Sequence, residues 1–171
     1  MVRKLLQIPG IDVNAETNDS TNPTNPIHNA VYRGNLELVE LLANAGADLS
    51  YKGGRLESNL LFFAIYSGSI PILEYLIQKG VNIDEVDESG WTPIFLAAQL
   101  ASIFDQFEAL DALVRAGADV NKQSSDLESI LFLSVMWGNG NLTTYLIDNG
   151  ADVNLKTIRD FTPAYAAVVV N

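Results

Sequence analysis

The sequence contains no cysteine and a single histidine. Disulfides are therefore excluded. A zinc site, or any other site built on nitrogen and sulfur ligands, has almost nothing to form from, so neither metal nor cofactor is expected. Basic residues are also scarce: 10 Lys and Arg stand against 21 Asp and Glu, a formal net charge of −11. Binding to a nucleic-acid backbone needs clustered cations, so nucleic acid is not an expected partner. The acidic balance favours a basic partner or simply good solubility, and solubility weighs more. Missing too is any apolar run near the roughly 20 residues that a membrane span needs. The opening "MVRKLLQIPG" breaks at Pro9 before an apolar stretch long enough for a secretory signal has formed. Together these absences predict a soluble protein of a reducing compartment such as the cytoplasm, without membrane insertion.

What is present is hydrophobic material for a sizeable core, 48% of 171 residues, in a chain about one domain long. It is laid out with a period. "GADVN" stands at 117–121 and again at 150–154, with looser copies "GIDVN" at 10–14, "GADLS" at 46–50 and "GVNID" at 80–84. Their glycines are separated by 36, 34, 37 and 33 residues. A recurring spacing of this size is the mark of a repeat architecture and takes precedence over any single motif.

The clearest copy runs from "DESGWTPIFLAA" at 87–98 to "ALVRAGADVN" at 112–121. Thr92 is placed to cap a helix N-terminus with its hydroxyl, and Pro93 suits a first helical turn, where no N–H is required. Ile94, Phe95, Ala97 and Ala98 follow at helical spacing. A second helix carries Phe107, Leu110, Leu113 and Val114 on one stripe and stops at Gly117, which can take the left-handed conformation after a helix end. Asn25-Pro26, Asn59-Leu60, Ser129-Ile130 and Thr162-Pro163 repeat the cap position. Small residues Ala30, Ala64, Ala97, Ser134 and Ala167 recur at spacings of 34, 33, 37 and 33. Further second helices read "LELVELL" (36–42), "IPILEYLI" (70–77) and "LTTYLI" (142–147), each with one apolar stripe.

"TPIFLAA", "NPIHNAVYRGNLELVELLANAGADLS" and the repeated "GADVN" resemble the ankyrin repeat, whose pattern includes T-P-L-H-x-A. The resemblance covers nearly the whole chain. It divides into a half repeat at 1–14, full repeats at 15–50, 51–84, 85–121 and 122–154, and a half repeat at 155–171. It departs from the pattern at "NLLFFA" and "SILFLS". Four extra residues lie within "QLASIFDQFE", and the first finger, "AETNDSTNPTNP", is lengthened. The fold implied is an all-α solenoid of stacked helix pairs with β-hairpin-like fingers.

No catalytic arrangement emerges. In ankyrin-like repeats the residue matching His28 bonds neighbouring turn backbone and links one repeat to the next, and no partnered nucleophile is evident beside it. Asp48, Asp119 and Asp152 recur with the turns, as structural carboxylates do, whereas a catalytic pair need occur only once. "DEVDESG" at 84–90 lacks the ligand pattern of a calcium loop. Neither G-x-x-x-x-G-K-S/T nor G-x-S-x-G occurs.

The resemblance implies that finger tips and the exposed ends of first helices line a concave face. The positions two and three residues past the small residue are Tyr32 and Arg33, Tyr66 and Ser67, Gln99 and Leu100, and Met136 and Trp137. Just before the caps come Thr24, Ser58, Trp91, Glu128 and Phe161. Among these, Tyr32, Arg33, Tyr66, Trp91, Gln99, Leu100, Met136 and Trp137 are the candidate partner-binding residues, since Trp, Tyr and Arg are enriched at binding hot spots. The competing reading is that the aromatics pad neighbouring helices. The expected function is a non-enzymatic protein–protein interaction module. The alternative is a targeting or regulatory ankyrin segment of a larger enzyme or effector, and a stand-alone enzyme is the weakest reading. The chain opens in a second helix and closes with "TPAYAAVVVN", a first helix whose valines are a poor outer face. That predicts boundaries within a longer array, and self-association or fraying at the C-terminal end.

Overall fold

The computed structural model describes residues 2–18 and 24–170, so part of the lengthened first finger, 19–23, lies outside the described residues. Helices dominate, and contacts group the residues into two compact units, 1–88 and 89–171. The first unit contains α1 (Val2–Leu5), α2 (Pro26–Tyr32), α3 (Leu36–Asn44), β1 (Lys52–Gly53), β2 (Ser58–Asn59), α4 (Leu60–Tyr66) and α5 (Ile70–Gln78). The second contains α6 (Pro93–Phe104), α7 (Glu108–Arg115), α8 (Ile130–Met136), α9 (Gly140–Asp148) and α10 (Pro163–Val170).

Each unit is built from helix pairs packed against one another. In the first, α2 packs on α3 and α4, and α4 on α5. Ile27, Val39, Leu60, Ile72, Leu73 and Leu76 fill the space between them and are fully buried. In the second, α6 packs on α7 and α8, and α8 on α9 and α10, around Ile94, Phe95, Leu110, Leu113, Ile130 and Leu142. Ala30, Ala64, Ala97 and Ser134 are buried at the crossings, where small side chains let helices approach closely, while Ala167 is half-buried. The hairpin-like fingers are slighter than the resemblance implies. Among the described residues they amount to the antiparallel pair Lys52–Asn59 and Gly53–Ser58 and one bridge between Gln123 and Ser129.

The repeated pentapeptide is a helix exit joined to a cross-repeat clasp. Gly117 takes φ 90°, where L side chains are strained. The amide of Ala118 reaches back to the carbonyl of Leu113 at 3.0 Å, and that of Gly117 to Val114 at 3.0 Å. Asp119 Oδ1 then accepts the amide of Asn121 at 2.9 Å. The Asn121 side chain accepts the Asp152 amide at 2.7 Å and donates to the Gly150 carbonyl at 3.1 Å, one repeat further on. Asn14 makes the matching pair with Asp48 and Gly46 at 2.8 and 3.4 Å. The recurring aspartates are turn formers, as their repetition implies.

Helix caps follow the sequence with one exception. Asn25, Asn59 and Ser129 accept the amides of His28, Leu61 and Phe132 at 3.0, 3.0 and 3.1 Å, and Thr162 accepts that of Tyr165 at 3.2 Å. Thr92 occupies the same position with extended backbone, but its hydroxyl makes no cap bond and is buried without a partner. Its own carbonyl takes the Phe95 amide at 3.0 Å, so the turn closes without the side chain. The four extra residues of the third repeat also behave differently from a loop insertion. They lengthen α6 to 12 residues, against 7 in α2, α4 and α8, because "QLASIF" is rich in residues a helix accepts. Asp105, at φ 56°, ends it.

These two caps separate on mutation. Ser129→Ala should cost about 1 kcal/mol, the usual loss for a working cap. Thr92→Val keeps the shape and removes an unpaired buried hydroxyl, so the denaturation midpoint should hold or rise. A midpoint for Thr92→Val as low as that of Ser129→Ala would show that the threonine hydroxyl is bonded after all.

Candidate functional site

The ends of the first helices carry large side chains that the core does not use. In the first unit Tyr32 and Tyr66 are the last residues of the neighbouring helices α2 and α4, and are 60% and 57% exposed. Arg33, the cap residue after α2, is exposed beside Tyr32. Ser67 is spent locally, its hydroxyl donating to the Ala64 carbonyl at 2.9 Å. Of the positions before the caps, Thr24 and Ser58 are buried and offer nothing to a partner.

In the second unit the candidates disperse. Gln99 and Leu100 stand within the lengthened α6 and are half-buried; the exposed end of that helix is instead Ile103 and Phe104. Trp91 is half-buried against Phe95, ring centroids 5.6 Å apart. Trp137 caps α8 and is half-buried, while Met136 beside it is 46% exposed. Helical geometry turns adjacent residues by about 100°, which sends these two to different surroundings.

Met136 opens onto a cleft of about 380 Å³ between α8 and α10. Its walls are Phe132 and Met136 from α8, and Tyr165, Ala166 and Val169 from α10. Phe161 stacks on Tyr165 with centroids 4.5 Å apart and planes at 11°. Asp126, Glu128 and Arg159, from the fingers before each helix, stand at the polar margin. The fingers are tied together: the Ile158 amide donates to the Asp126 carbonyl at 3.0 Å, and Gln123 Nε2 to the Lys156 carbonyl at 2.9 Å. Thr157 closes its own finger through the Phe161 carbonyl at 2.9 Å and amide at 3.2 Å. Burial, and secondarily the charge of Asp126, push the Glu128 carboxyl upward, while Arg159 acts in the opposite sense.

Two of the positions before the caps, Glu128 and Phe161, thus meet Met136 in one place. Tyr165 was not singled out in the sequence, and Val169 only among the valines of a poor outer face, not as a binding position. The signal was there: Val169 stands seven residues past the cap Thr162, as Met136 stands seven past Ser129, and Tyr165 shares the register of Phe132.

His28 does not make the inter-repeat hydrogen bond that the resemblance implies. Both ring nitrogens are buried without a partner, and the ring instead packs edge-on against Phe63 at 3.9 Å and beside Tyr51 at 6.4 Å. Burial among aromatics holds its pKa below the ordinary 6.5. It is a core histidine.

Among the described residues no helix is long and apolar enough to cross a membrane. Stacked helix pairs, a glycine exit after each second helix and an asparagine clasp define an all-α repeat protein of the helix-pair class. The family described as Ankyrin repeats (3 copies) matches residues 1–86 and 27–124, and the chain belongs to it. The protein named as palmitoyltransferase ZDHHC13 from Danio rerio is 33% identical over 132 residues, which cover 77% of this chain and 20% of that protein. Ankyrin repeat protein FPV031 of Fowlpox virus (strain NVSL) is 30% identical over 138 residues, 78% of this chain and 39% of the relative. Human transient receptor potential cation channel subfamily A member 1 is 26% identical over 172 residues, 77% of this chain and 15% of the channel. The chain thus spans well under half the length of these curated relatives. Ankyrin repeats make it a protein-interaction module, of a kind that is generally non-catalytic.

The buried histidine gives a pH signature with a definite sign. The unfolded chain takes up a proton at its single histidine as pH falls below 6.5, while folded His28 resists. Its contribution is therefore complete above 6.5 and is lost as pH drops toward the lowered folded value. Unfolding free energies at pH 7.5 and at mildly acidic pH should show this loss, and His28→Leu should flatten it. An equal slope in the variant would assign the effect to other groups.

Proposed function

We propose that this chain binds a partner protein through its finger-bearing face, the one the ankyrin resemblance makes concave. The observation that carries the reading is that Tyr32, Tyr66 and Met136, each the last residue of a first helix, remain exposed. Other positions of the same helices, Ile27 in α2, Leu61 in α4 and Ile130 in α8, are fully buried. Isolated exposed apolar side chains are ordinary, but aromatic and methionine side chains recurring at one register of the helix pairs are what a recognition surface provides. The scaffold supports the reading energetically as well. Caps and clasps fix the helix ends before any partner arrives, so little conformational entropy remains to be lost on binding. Arg33, Trp91, Gln99, Leu100 and Trp137 complete the candidate surface, with the half-buried ones contributing edges rather than whole side chains. No group among these calls for catalysis.

A second reading, that the chain serves as a targeting or regulatory segment of a larger protein, is favoured by the relatives. Two of them carry the names of an acyltransferase and a cation channel, and this chain spans 20% and 15% of their lengths. The two readings are compatible, because a regulatory segment also acts by binding.

Capture of partners on the immobilised chain, followed by mass spectrometry, should return a protein. Titration of that protein against Tyr66→Ala and Trp137→Ala should then show losses of about 1–3 kcal/mol each, with circular dichroism unchanged. Full-strength binding by both variants would place the interface elsewhere.

A further inference from the structure

The cleft between α8 and α10 combines three features that the repeat scaffold does not need. Its apolar walls are left open: Met136, Tyr165 and Val169 are all exposed although they face a common space floored by buried Phe132 and Ala166. Its volume, about 380 Å³, falls at the lower end of the range of clefts that take a small ligand or a few side chains. Its margin is unbalanced in charge. Asp126 and Glu128 stand there with one cation, Arg159. The other cations of residues 89–171 do not line the cleft; Arg115 is paired with Asp111 at 2.9 Å and Lys156 with Asp160 at 3.4 Å.

We propose that this cleft docks an extended segment of a partner protein that carries a large apolar side chain next to a lysine or arginine. The proposal rests on the protein-binding reading above and names the chemistry of the partner at one part of that surface. The apolar side chain would enter between Met136 and Val169 and lie against the Phe161–Tyr165 stack, whose flat face suits an aliphatic or aromatic group. The adjacent cation would reach Asp126 and Glu128. Glu128 is the carboxylate with most to gain, being half-buried and beside a like charge that Arg159 offsets only in part. A partner ammonium or guanidinium supplies the missing positive charge, and the partly dry setting strengthens that attraction relative to a fully exposed pair.

Charge complementarity separates this occupant from the alternatives. Residues 89–171 hold nine Asp and Glu against four Lys and Arg, so a second copy of this acidic chain would bring like charge to an acidic margin. An acidic segment would do the same. The cleft is also built in advance, because the bonds from Ile158 to Asp126 and from Gln123 to Lys156 hold its two fingers together. An extended peptide would thus be ordered against a surface that is already fixed.

Random peptides of about a dozen residues, displayed on phage and selected on the full chain, provide the probe. Enriched peptides should share an apolar or aromatic residue adjacent to Lys or Arg. A synthetic peptide of the consensus should lose about tenfold in affinity, roughly 1.4 kcal/mol, against Asp126→Asn/Glu128→Gln. Its salt dependence should flatten in that variant, since rim charges act through a screened attraction. Met136→Ala and Val169→Asn should weaken binding at all salt concentrations, whereas Glu40→Gln on α3 should not. Circular dichroism confirms that each variant is folded, and Asp126→Asn/Glu128→Gln alters only residues at the margin. Enrichment of peptides without Lys or Arg overturns the proposal, as does no enrichment, or sedimentation equilibrium showing the cleft already filled by a second copy. Peptides that ignore the cleft variants yet lose affinity in Tyr32→Ala or Tyr66→Ala would overturn the cleft while leaving the protein-binding reading standing. Failure of partner capture would instead remove the broader reading.

Discussion

No helix pair in this protein can bury its apolar face by itself. Each helix is short, seven to nine residues in most cases, and isolated helices of that length are marginal in water. Stability must come from stacking, and stacking demands that neighbouring helices approach closely. Ala30, Ala64, Ala97 and Ser134 allow that approach, and Leu or Ile side chains around them fill the remaining space. Everything else follows from keeping this register. The glycine exits end second helices at fixed points, and the side chains of Asn14 and Asn121 fix the distance from one turn to the next.

The same constraint explains where function can reside. Positions that face a neighbour are committed to packing and tolerate few side chains. Positions at the ends of first helices and at finger tips are released, because no neighbouring backbone covers them. Tyr32 and Tyr66 illustrate the release in the first unit, and Met136 in the second. Between α8 and α10 the released positions converge, since the fingers before the two helices are bonded together. Exposed apolar walls and a carboxylate pair are thereby held at one place rather than scattered.

Where the expected pattern fails, the cause is local competition. Thr92 has the right residue and backbone for a cap, yet its hydroxyl is buried without a bond, and the turn is closed by its carbonyl instead. His28 has the residue type that would link repeats by hydrogen bonds, but Phe63 and Tyr51 offer aromatic packing in its place. In both cases a buried polar group is left unpaired, at a cost that the surrounding apolar burial must offset.

The period, the helix pairs, their caps at Asn25, Asn59, Ser129 and Thr162, and the exits at Gly117 and Gly150 were legible in the sequence. Each depends on residues close together in the chain: a polar side chain three residues before an amide, or a glycine one turn past an apolar stripe. The exposed tyrosines were legible for the same reason, since counting from the small residue places them at helix ends. The lengthening of α6 was not, because four extra residues can extend a helix or a loop, and only packing against α7 and α8 decides which. The shared register of Met136 and Val169 could be counted from their caps, but their meeting in one cleft could not. Glu128, Met136, Phe161 and Val169 lie on four different elements, and their convergence depends on the angle at which α10 meets α8. That angle is set by side-chain packing between residues some 30 positions apart, and no local signal in the chain records it.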